Sequence, residues 1–169
     1  MAQPQTHKSR DIYDLLGANA LERNPAPTSN PAGFRDTPAP FQWEDATSSS
    51  FRLMQAVRHG LPVSAVDHFL KTGAITAAEL HELVLPRKTL ANRRELGRLN
   101  PEQSDRLVRL ARVFTEAEEV FGAPEKAHRW LRRETTALNG QAPLHLLDTD
   151  EGARMVEALL GRISHGIAA

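Results

Sequence analysis

The chain of 169 residues contains no cysteine, few aromatic residues and no long hydrophobic run. The absence of cysteine excludes structural disulfides, thiolate metal sites and thiol nucleophiles. Aromatic residues make up only 5% of the chain, which disfavours a surface that stacks sugars or nucleobases. No apolar run approaches the roughly 18 residues of a membrane span, and the first residues lack the apolar stretch of a secretory signal. We therefore expect a cytoplasmic protein that has no membrane partner.

The sequence also lacks the motifs of an enzyme. It has no glycine-rich phosphate loop, and none of its seven histidines forms a pair at helical metal-ligand spacing. The stretch HELVL from His81 begins like a zinc-protease motif, but Leu85 stands where the second histidine should be. We predict no catalytic residue, no metal, no cofactor and no small-molecule substrate, and we interpret His145 and His165 as surface or capping residues.

The formal net charge is zero, but the charges are segregated along the chain. Between residues 86 and 112, eight lysines and arginines stand against three acids. From residue 113 onward, nine acids stand against six bases. The middle of the chain is therefore basic and its tail acidic, a division that the net charge conceals.

Prolines divide the chain into an arm and a body. Six of the eleven prolines lie in residues 1–48, and such a composition buries too little apolar surface to offset the entropy of ordering it. We predict an extended Pro-rich arm over these residues, in which DIYDLLGANAL is the one segment suited to a short helix or docking peptide. The other prolines head segments with helical periodicity and indicate helix starts: Pro62, Pro86, Pro101, Pro124 and Pro143.

Apolar residues recur with the period of a helix through the body of the chain. This pattern predicts helices over residues 50–59, 62–72, 76–84, 86–96, 101–121, 124–133, 143–147 and 149–164. In the first helix, we expect Phe51, Met54 and Val57 to face the core. No segment alternates convincingly with period two, so the predicted fold class is all-α.

Helices 76–84 and 86–96 follow each other almost without a turn and suggest a helix-turn-helix, although the connection lacks the frequent glycine. The first of them opens with a capping box of Thr76 and Glu79. The second has cations in its first turn, where the helix dipole disfavours each by about 0.3–1 kcal/mol. Contact with DNA explains them, because recognition helices present their N-terminal residues to base edges. The predicted DNA-binding side chains are Arg87, Lys88, Thr89, Asn92, Arg93 and Arg94.

An ordinary helix with a solvated basic face is the alternative interpretation of this segment. If the DNA-binding interpretation is right, Arg106 and Arg109 of the following helix are expected to contact phosphates. Such contacts carry no sequence information, so their loss would weaken binding to every DNA sequence alike.

The C-terminal part combines a short helix, two turns and a long amphipathic segment. Trp130 is interpreted as a structural residue that packs in the core, because a large aromatic at helical spacing usually does. The Asn-Gly pair at residues 139–140 predicts a turn, and Asp148 with Glu151 predicts a capping box at the start of the last helix. Gly152 allows another backbone segment to approach that helix closely.

These residues also carry a family resemblance. From Phe121 to Gly166 the chain reads FG, then A..WL, then L.G..PL.LLDT..G...V...L.RI..G. This pattern resembles the C-terminal toxin-binding domain of the Xre/MbcA/ParS antitoxin family, whose members are paired with RES-domain toxins. The preceding RKTLANRR…L…S.RL.RLARV…A..VFG is similar to the Xre-like helix-turn-helix half of that family.

The resemblance implies three parts: the arm at 1–48, an Xre-like helix-turn-helix DNA-binding domain at 49–122 and a toxin-binding domain at 123–169. It implies a type II antitoxin without catalysis, which represses its own operon by binding operator DNA as a homodimer. Its toxin would be an NAD⁺-consuming RES-domain enzyme, neutralised when the C-terminal domain covers the active-site entrance. The implied toxin-facing residues are Arg154, Glu157, Arg162, His165, Gly166, Ile167, Ala168 and Ala169.

A helix-turn-helix transcriptional regulator without a toxin partner is the alternative function. It would share the basic helix pair and would account for the arm equally well. The turned, acidic C-terminal part favours the antitoxin, because a lone repressor has no need of it.

Overall fold

The computed structural model describes residues 11–17 and 44–166, with side chains described from residue 50 onward in the second range. Within these ranges the chain is helical and forms no strand, which confirms the all-α prediction. Most of the predicted Pro-rich arm lies outside the described residues. The elements are α1 (Ile12–Leu16), α2 (Glu44–His59), α3 (Ser64–Lys71), α4 (Ala77–Leu83), α5 (Arg87–Leu96), α6 (Pro101–Phe121), α7 (Pro124–Leu131), two 3₁₀ helices (Thr136–Leu138 and Pro143–Asp148) and α8 (Asp150–Ser164).

Helix α6 is the central element of the fold. It begins with a capping box of Asn100 and Gln103 and ends at Gly122, whose left-handed backbone stops the helix. Along its length it packs against α1, α2, α7 and α8. The buried residues of α6 therefore serve both halves of the chain: Ser104, Leu107, Val108, Leu110, Ala111, Val113, Phe114, Ala117 and Glu118.

The helix-turn-helix half is closed by a contact between two connections. The backbone N–H of Val63 donates to the carbonyl of Gly97 at 3.1 Å, and that of Leu99 donates to the carbonyl of Leu61 at 2.9 Å. The Leu61 N–H donates to the buried hydroxyl of Ser104, which itself donates to a backbone carbonyl. These bonds fix the segment after α2 to the segment after α5 without leaving buried polar groups unpaired.

The N-terminal segment does form a short helix, as the sequence suggests. Helix α1 has its own capping box, in which Asp11 and Asp14 exchange side-chain and backbone hydrogen bonds. It packs against α3 and α6, and its Leu15 and Leu16 are fully buried. The segment is thus part of the hydrophobic core, although it precedes the main body in sequence.

Helix α7 places its aromatic residue at the edge of the core. Ala127 and Leu131 are fully buried, and Trp130 is partly buried against the same cluster. The Trp130 ring lies 5.4 Å from the ring of Phe121 at the end of α6, centroid to centroid. The two rings are tilted by 41° and pack together where α6 is followed by α7.

Several helix starts differ by one or more residues from those expected. Helix α2 begins at Glu44 rather than at residue 50, since serines are weak helix formers and conceal the start. Helix α3 begins at Ser64, because the preceding Pro62 pairs as an isolated bridge with the connection after α5. Pro86 is the N-cap of α5 rather than its first residue.

The expected facing of α2 is wrong for two residues. Phe51 and Met54 are exposed over 57% and 37% of their surfaces. The helix instead directs Ala56 into the core and packs Leu53 and Val57 against it. All five residues are compatible with an apolar face, so the period alone does not decide which of them a tertiary partner covers.

The start of α8 also differs, and the expected capping box of Asp148 and Glu151 is wrong. Asp148 belongs to the preceding 3₁₀ helix, and Thr149 is the N-cap, its hydroxyl accepting from the Gly152 N–H at 3.1 Å. The close approach of another backbone segment expected at Gly152 is confirmed, because a Cβ there would lie 2.0 Å from the carbonyl oxygen of Leu146. The 3₁₀ helix is therefore wedged directly against the first turn of α8.

Gly152→Ala should destabilise the protein by about 1–3 kcal/mol, because the added methyl group collides with backbone that cannot move aside. Gly161→Ala in the same helix is the matched control, since a Cβ there meets nothing within 4 Å. That control should be stabilising by about 0.5–1 kcal/mol. Urea unfolding of the two variants measures both effects. Equal stabilities would contradict the close contact between Gly152 and the Leu146 carbonyl group.

Candidate functional site

The helix pair α4 and α5 has the geometry that the sequence predicts. Helix α4 opens with the capping box of Thr76 and Glu79, and only Val84, Leu85 and Pro86 separate it from α5. Val84 and Leu85 are buried in the turn and hold the two helices together. Packing of these apolar side chains replaces the glycine that such turns often contain.

Helix α5 is attached to the core mainly through Leu90, which is buried. Of the predicted DNA-binding residues, Arg87, Lys88, Asn92 and Arg94 are exposed, whereas Thr89 and Arg93 are partly buried. No acid stands in the first turn of the helix. Arg87 and Lys88 therefore face solvent at the positive end of the helix dipole.

The predicted DNA-binding residues differ in whether they already have partners. Within the described residues, no hydrogen bond or ion pair involves the side chain of Arg87, Lys88, Asn92 or Arg93. Arg94 instead donates to Asp67 of α3 at 2.7 Å, with about half of each side chain exposed. Such an exposed pair contributes roughly 0–1 kcal/mol, so a phosphate can replace the carboxylate at small cost.

The basic residues of α6 are not all available to DNA. Arg109 is only 12% exposed and lies between Asp105, at 2.7 Å, and Asp150 of α8, at 3.7 Å. A phosphate contact from Arg109 stays a prediction, and these contacts disfavour it because the carboxylates already cover the guanidinium group. Arg106 is more exposed and pairs with Glu102 one turn away.

Arg132 joins the C-terminal half to the first helix of the helix-turn-helix. Its guanidinium group donates to both carboxylate oxygens of Glu79 at 2.7 and 2.8 Å. It also donates to the carbonyl oxygens of Ala74 and His128 at 2.9 and 3.0 Å. The bidentate geometry fixes both distance and orientation between α7 and α4.

The contact with Arg132 lowers the pKa of the Glu79 carboxyl group. Partial burial raises its pKa, but the hydrogen bonds from Arg132 and Thr76, with the charge of Arg132, outweigh the burial. The net effect holds the pKa of Glu79 below its ordinary value of 4.5. The carboxylate is therefore stabilised in its charged form, in which it both caps α4 and holds Arg132.

A second polar contact lies between α6 and α7. Glu118 is buried, with only 4% of its surface exposed, and its carboxylate lies 2.8 Å from Nε2 of His128. The His128 ring also packs edge-on against Phe114, with ring centroids 5.5 Å apart. The pair compensates the burial of the carboxylate, which would otherwise be costly inside the core.

The residues of α8 that are predicted to face a toxin differ in their exposure and in their partners. Arg154 is exposed and pairs with Asp150, one turn earlier. Glu157 is partly buried and accepts from Arg112 of α6 at 2.7 Å. Burial and the charge of Glu157 raise the pKa of neighbouring Glu116, although Arg112 opposes this effect. Glu157 therefore anchors α8 to α6 besides contributing charge to the surface.

The end of α8 is exposed. Arg162 has no hydrogen bond or ion pair with any described residue, and His165 Nδ1 lies 2.7 Å from the carbonyl oxygen of Gly161. Gly166 has a left-handed backbone and ends the described segment. Ile167, Ala168 and Ala169, also predicted to face a toxin, lie outside the described residues.

The sequence interpretation missed two members of this surface. Met155, 44% exposed, and Ala158 are both exposed on α8. At helical spacing they continue into Arg162 and His165, so the four residues form one outward stripe. We call these residues the α8 stripe. The spacing was readable from the sequence, but only the packing of α8 shows which side faces outward.

Two family models match the chain in adjoining stretches. The Antitoxin Xre-like helix-turn-helix domain matches residues 52–112. The Antitoxin Xre/MbcA/ParS C-terminal toxin-binding domain matches residues 116–166. The junction between the two matches falls inside α6, in agreement with the shared core.

Relatives with known names are similar over most of the body. A protein named Antitoxin Xre from Yersinia enterocolitica serotype O:8 / biotype 1B is 34% identical over 118 residues, covering 68% of this chain and 80% of that protein. Antitoxin Xre from Pseudomonas putida (strain KT2440) is 32% identical over 120 residues, covering 70% and 75%. A Sphingobium protein named Prs ADP-ribosylating antitoxin is 36% identical over 77 residues, covering 40% and 48%.

The fold and the two matches define a class of protein: an antitoxin of a toxin–antitoxin system, with a helix-turn-helix domain followed by a toxin-binding domain. Both matching models describe antitoxin domains rather than enzymes. The chain belongs to the Antitoxin Xre family, and the resemblance seen in the sequence is confirmed at that level. Among the described residues, no helix is both long and apolar enough to span a bilayer.

Glu79→Gln should destabilise the protein by about 1 kcal/mol near neutral pH, because it weakens the hydrogen bonds to Arg132. The folded-state pKa of Glu79 is lowered, so its contribution is present above pH 4.5 and is lost as the pH falls through the lowered value. The difference from wild type should shrink between pH 6 and pH 3 in urea unfolding. Glu102→Gln, in an exposed pair, is the control; a pH-independent Glu79→Gln difference would argue against the contact.

Proposed function

We propose that the chain neutralises an NAD⁺-consuming RES-domain toxin by covering its active-site entrance, and that it represses its own operon as a homodimer bound to operator DNA. The toxin-binding part of the proposal is carried by one observation, the α8 stripe on a helix that is held rigidly. The DNA-binding part is supported by unpaired cations at the start of α5. Both surfaces belong to family domains that the chain matches.

The rigidity of α8 supports its role as a preformed binding element. Thr149 caps the helix, Gly152 admits the preceding 3₁₀ helix, and Glu157 pairs with Arg112 of α6. A binder that is ordered before association loses less conformational entropy than a flexible one. The α8 stripe is therefore suited to enter a cleft without rearrangement.

The class of toxin is supported by chemistry and by one relative. The Sphingobium relative is named for ADP-ribosylation, a reaction that uses NAD⁺ as the donor of its ADP-ribose. An enzyme of this kind holds the pyrophosphate of NAD⁺ with cationic groups. The acidic excess of the C-terminal half suits an approach to such a site.

Damage to the α8 stripe, or loss of the terminal residues that follow it, should abolish protection against the toxin. Deletion of residues 166–169 and, separately, Arg162→Ala should each allow cellular NAD⁺ to fall when the chain is co-expressed with the product of the adjacent open reading frame. NAD⁺ measured in cell extracts is the readout, and Arg129→Ala, an exposed change on α7, is the control. Full protection by both altered chains would refute the covering mechanism, and failure to co-purify with that product would favour the lone regulator.

The homodimer has a candidate surface on α2. Phe51 and Met54 are exposed one helical turn apart, and exposed apolar side chains of this size often mark an interface. Arg98, just after α5, donates to the carbonyl oxygens of His59 and Gly60 at the end of α2. A contact through α2 would thus position the end of the recognition helix near the dimer axis, as two half-sites require.

Arg87→Ala should weaken binding to the cognate operator by about 1–3 kcal/mol and relax sequence preference at one position, because it removes a base contact. Lys126→Ala, which removes one exposed cation from α7, is the matched control and should leave affinity almost unchanged. Gel-shift titration at a fixed salt concentration measures both. Retardation of the upstream region that is identical for wild type and Arg87→Ala would contradict a base contact from α5.

A further inference from the structure

Helix α1 occupies a groove on the helix-turn-helix half that neither family match includes. The matches cover residues 52–112 and 116–166, whereas α1 is Ile12–Leu16. Its Leu15 and Leu16 are fully buried between α3 and α6. Residues 18–43 separate the docked helix from α2, so its position is not imposed by a short connection.

The polar contacts of α1 have the form of a self-contained recognition motif. Asp11 and Asp14 complete the capping box within the segment itself. His68 of α3 contacts the backbone of the segment, with its Nε2 2.8 Å from the Asp14 carbonyl oxygen. Gly17 follows in a left-handed conformation, and a Cβ there would lie 3.2 Å from the His68 ring.

We propose that the groove between α3 and α6 is a peptide-binding site, and that its ligand is the chain's own segment of residues 11–17, held as a dissociable motif. The ligand class is a short amphipathic helix with an acidic cap and two adjacent leucines. A five-residue helix is not stable in water by itself, so the segment folds only when it docks. Because the segment is covalently part of the chain, docking is intramolecular and needs no free peptide.

Docking is positioned to affect the recognition helix. His68, which contacts the segment, is adjacent to Asp67, and Asp67 pairs with Arg94 of α5. Undocking removes contacts from α3 and so loosens one support of α5. This consequence rests on the proposed DNA-binding function, whereas the peptide site itself does not.

The site is tested in the full-length chain by replacing its own ligand. A Leu15→Asp, Leu16→Asp double variant should leave the groove open. A fluorescent peptide with the sequence of residues 11–17 should then bind the double variant with at least tenfold higher affinity than it binds the wild-type chain. A peptide carrying the same two aspartates should not bind. Circular dichroism establishes that the double variant remains helical; a helical variant that fails to bind the peptide overturns the proposal.

Two exposed residues of α3 provide a matched pair in the double-variant background. His68→Ala removes the hydrogen bond to the peptide carbonyl and should weaken peptide binding severalfold. Lys71→Ala changes an exposed residue of the same helix that makes no described contact with α1, and it should leave binding unchanged. Equal affinities for these two variants would place the peptide elsewhere and contradict the site.

Hydrogen exchange of the wild-type chain decides between a dissociable motif and a fixed part of the core, even if the double variant unfolds. The amides of Asp14 and Leu15 should exchange at least 100-fold faster than those of Val113 and Phe114 in α6. Exchange at the same rate as α6 would mean that the segment leaves only on global unfolding, which overturns the proposal. If the double variant loses affinity for the operator and the added peptide restores it, the peptide site also controls DNA binding. If the operator affinity does not change, the site binds the peptide only, and the proposed function is unaffected.

Discussion

The burial of α6 on several sides is the constraint on which the rest of the structure depends. This helix packs against α1 and α2 of the N-terminal half and against α7 and α8 of the C-terminal half. Phe114 shows most directly that both halves pack on α6. Its ring centroid lies 5.7 Å from that of Phe69 in α3 and 5.5 Å from that of His128 in α7. The two family domains therefore have one continuous core, and a disturbance of α6 is felt by both the helix-turn-helix half and the C-terminal half.

Polar contacts add orientation to this apolar core. The Arg132 guanidinium group binds the same carboxylate that caps α4, so a residue of the toxin-binding half helps to order the helix-turn-helix. Between α6 and α8, Arg112 donates to Glu157 at 2.7 Å, and Arg109 forms a longer ion pair with Asp150 at 3.7 Å. Hydrophobic burial brings the halves together without direction, and these charge-assisted bonds select one relative arrangement.

The basic middle of the sequence thus separates into two groups with different roles. In α5, Arg87 and Lys88 lie exposed at the end of the helix where the dipole opposes cations, and no group of the described residues pairs with them. In α6, Arg109 meets carboxylates within the chain and contributes to its fold. Residue counts treat the two groups alike, because they contain no information on what lies within reach of each guanidinium group.

The sequence by itself determined the helical fold, most helix bounds and the antitoxin family, because these follow from the spacing of apolar residues, from prolines and caps, and from a contiguous motif. Only the tertiary structure decided that Phe51 faces outward, that Thr149 caps α8, and that Met155 joins the α8 stripe. Each of these depends on which element packs against which face. That choice is made by residues distant along the chain, and a local period of 3.6 residues is the same whichever face is covered.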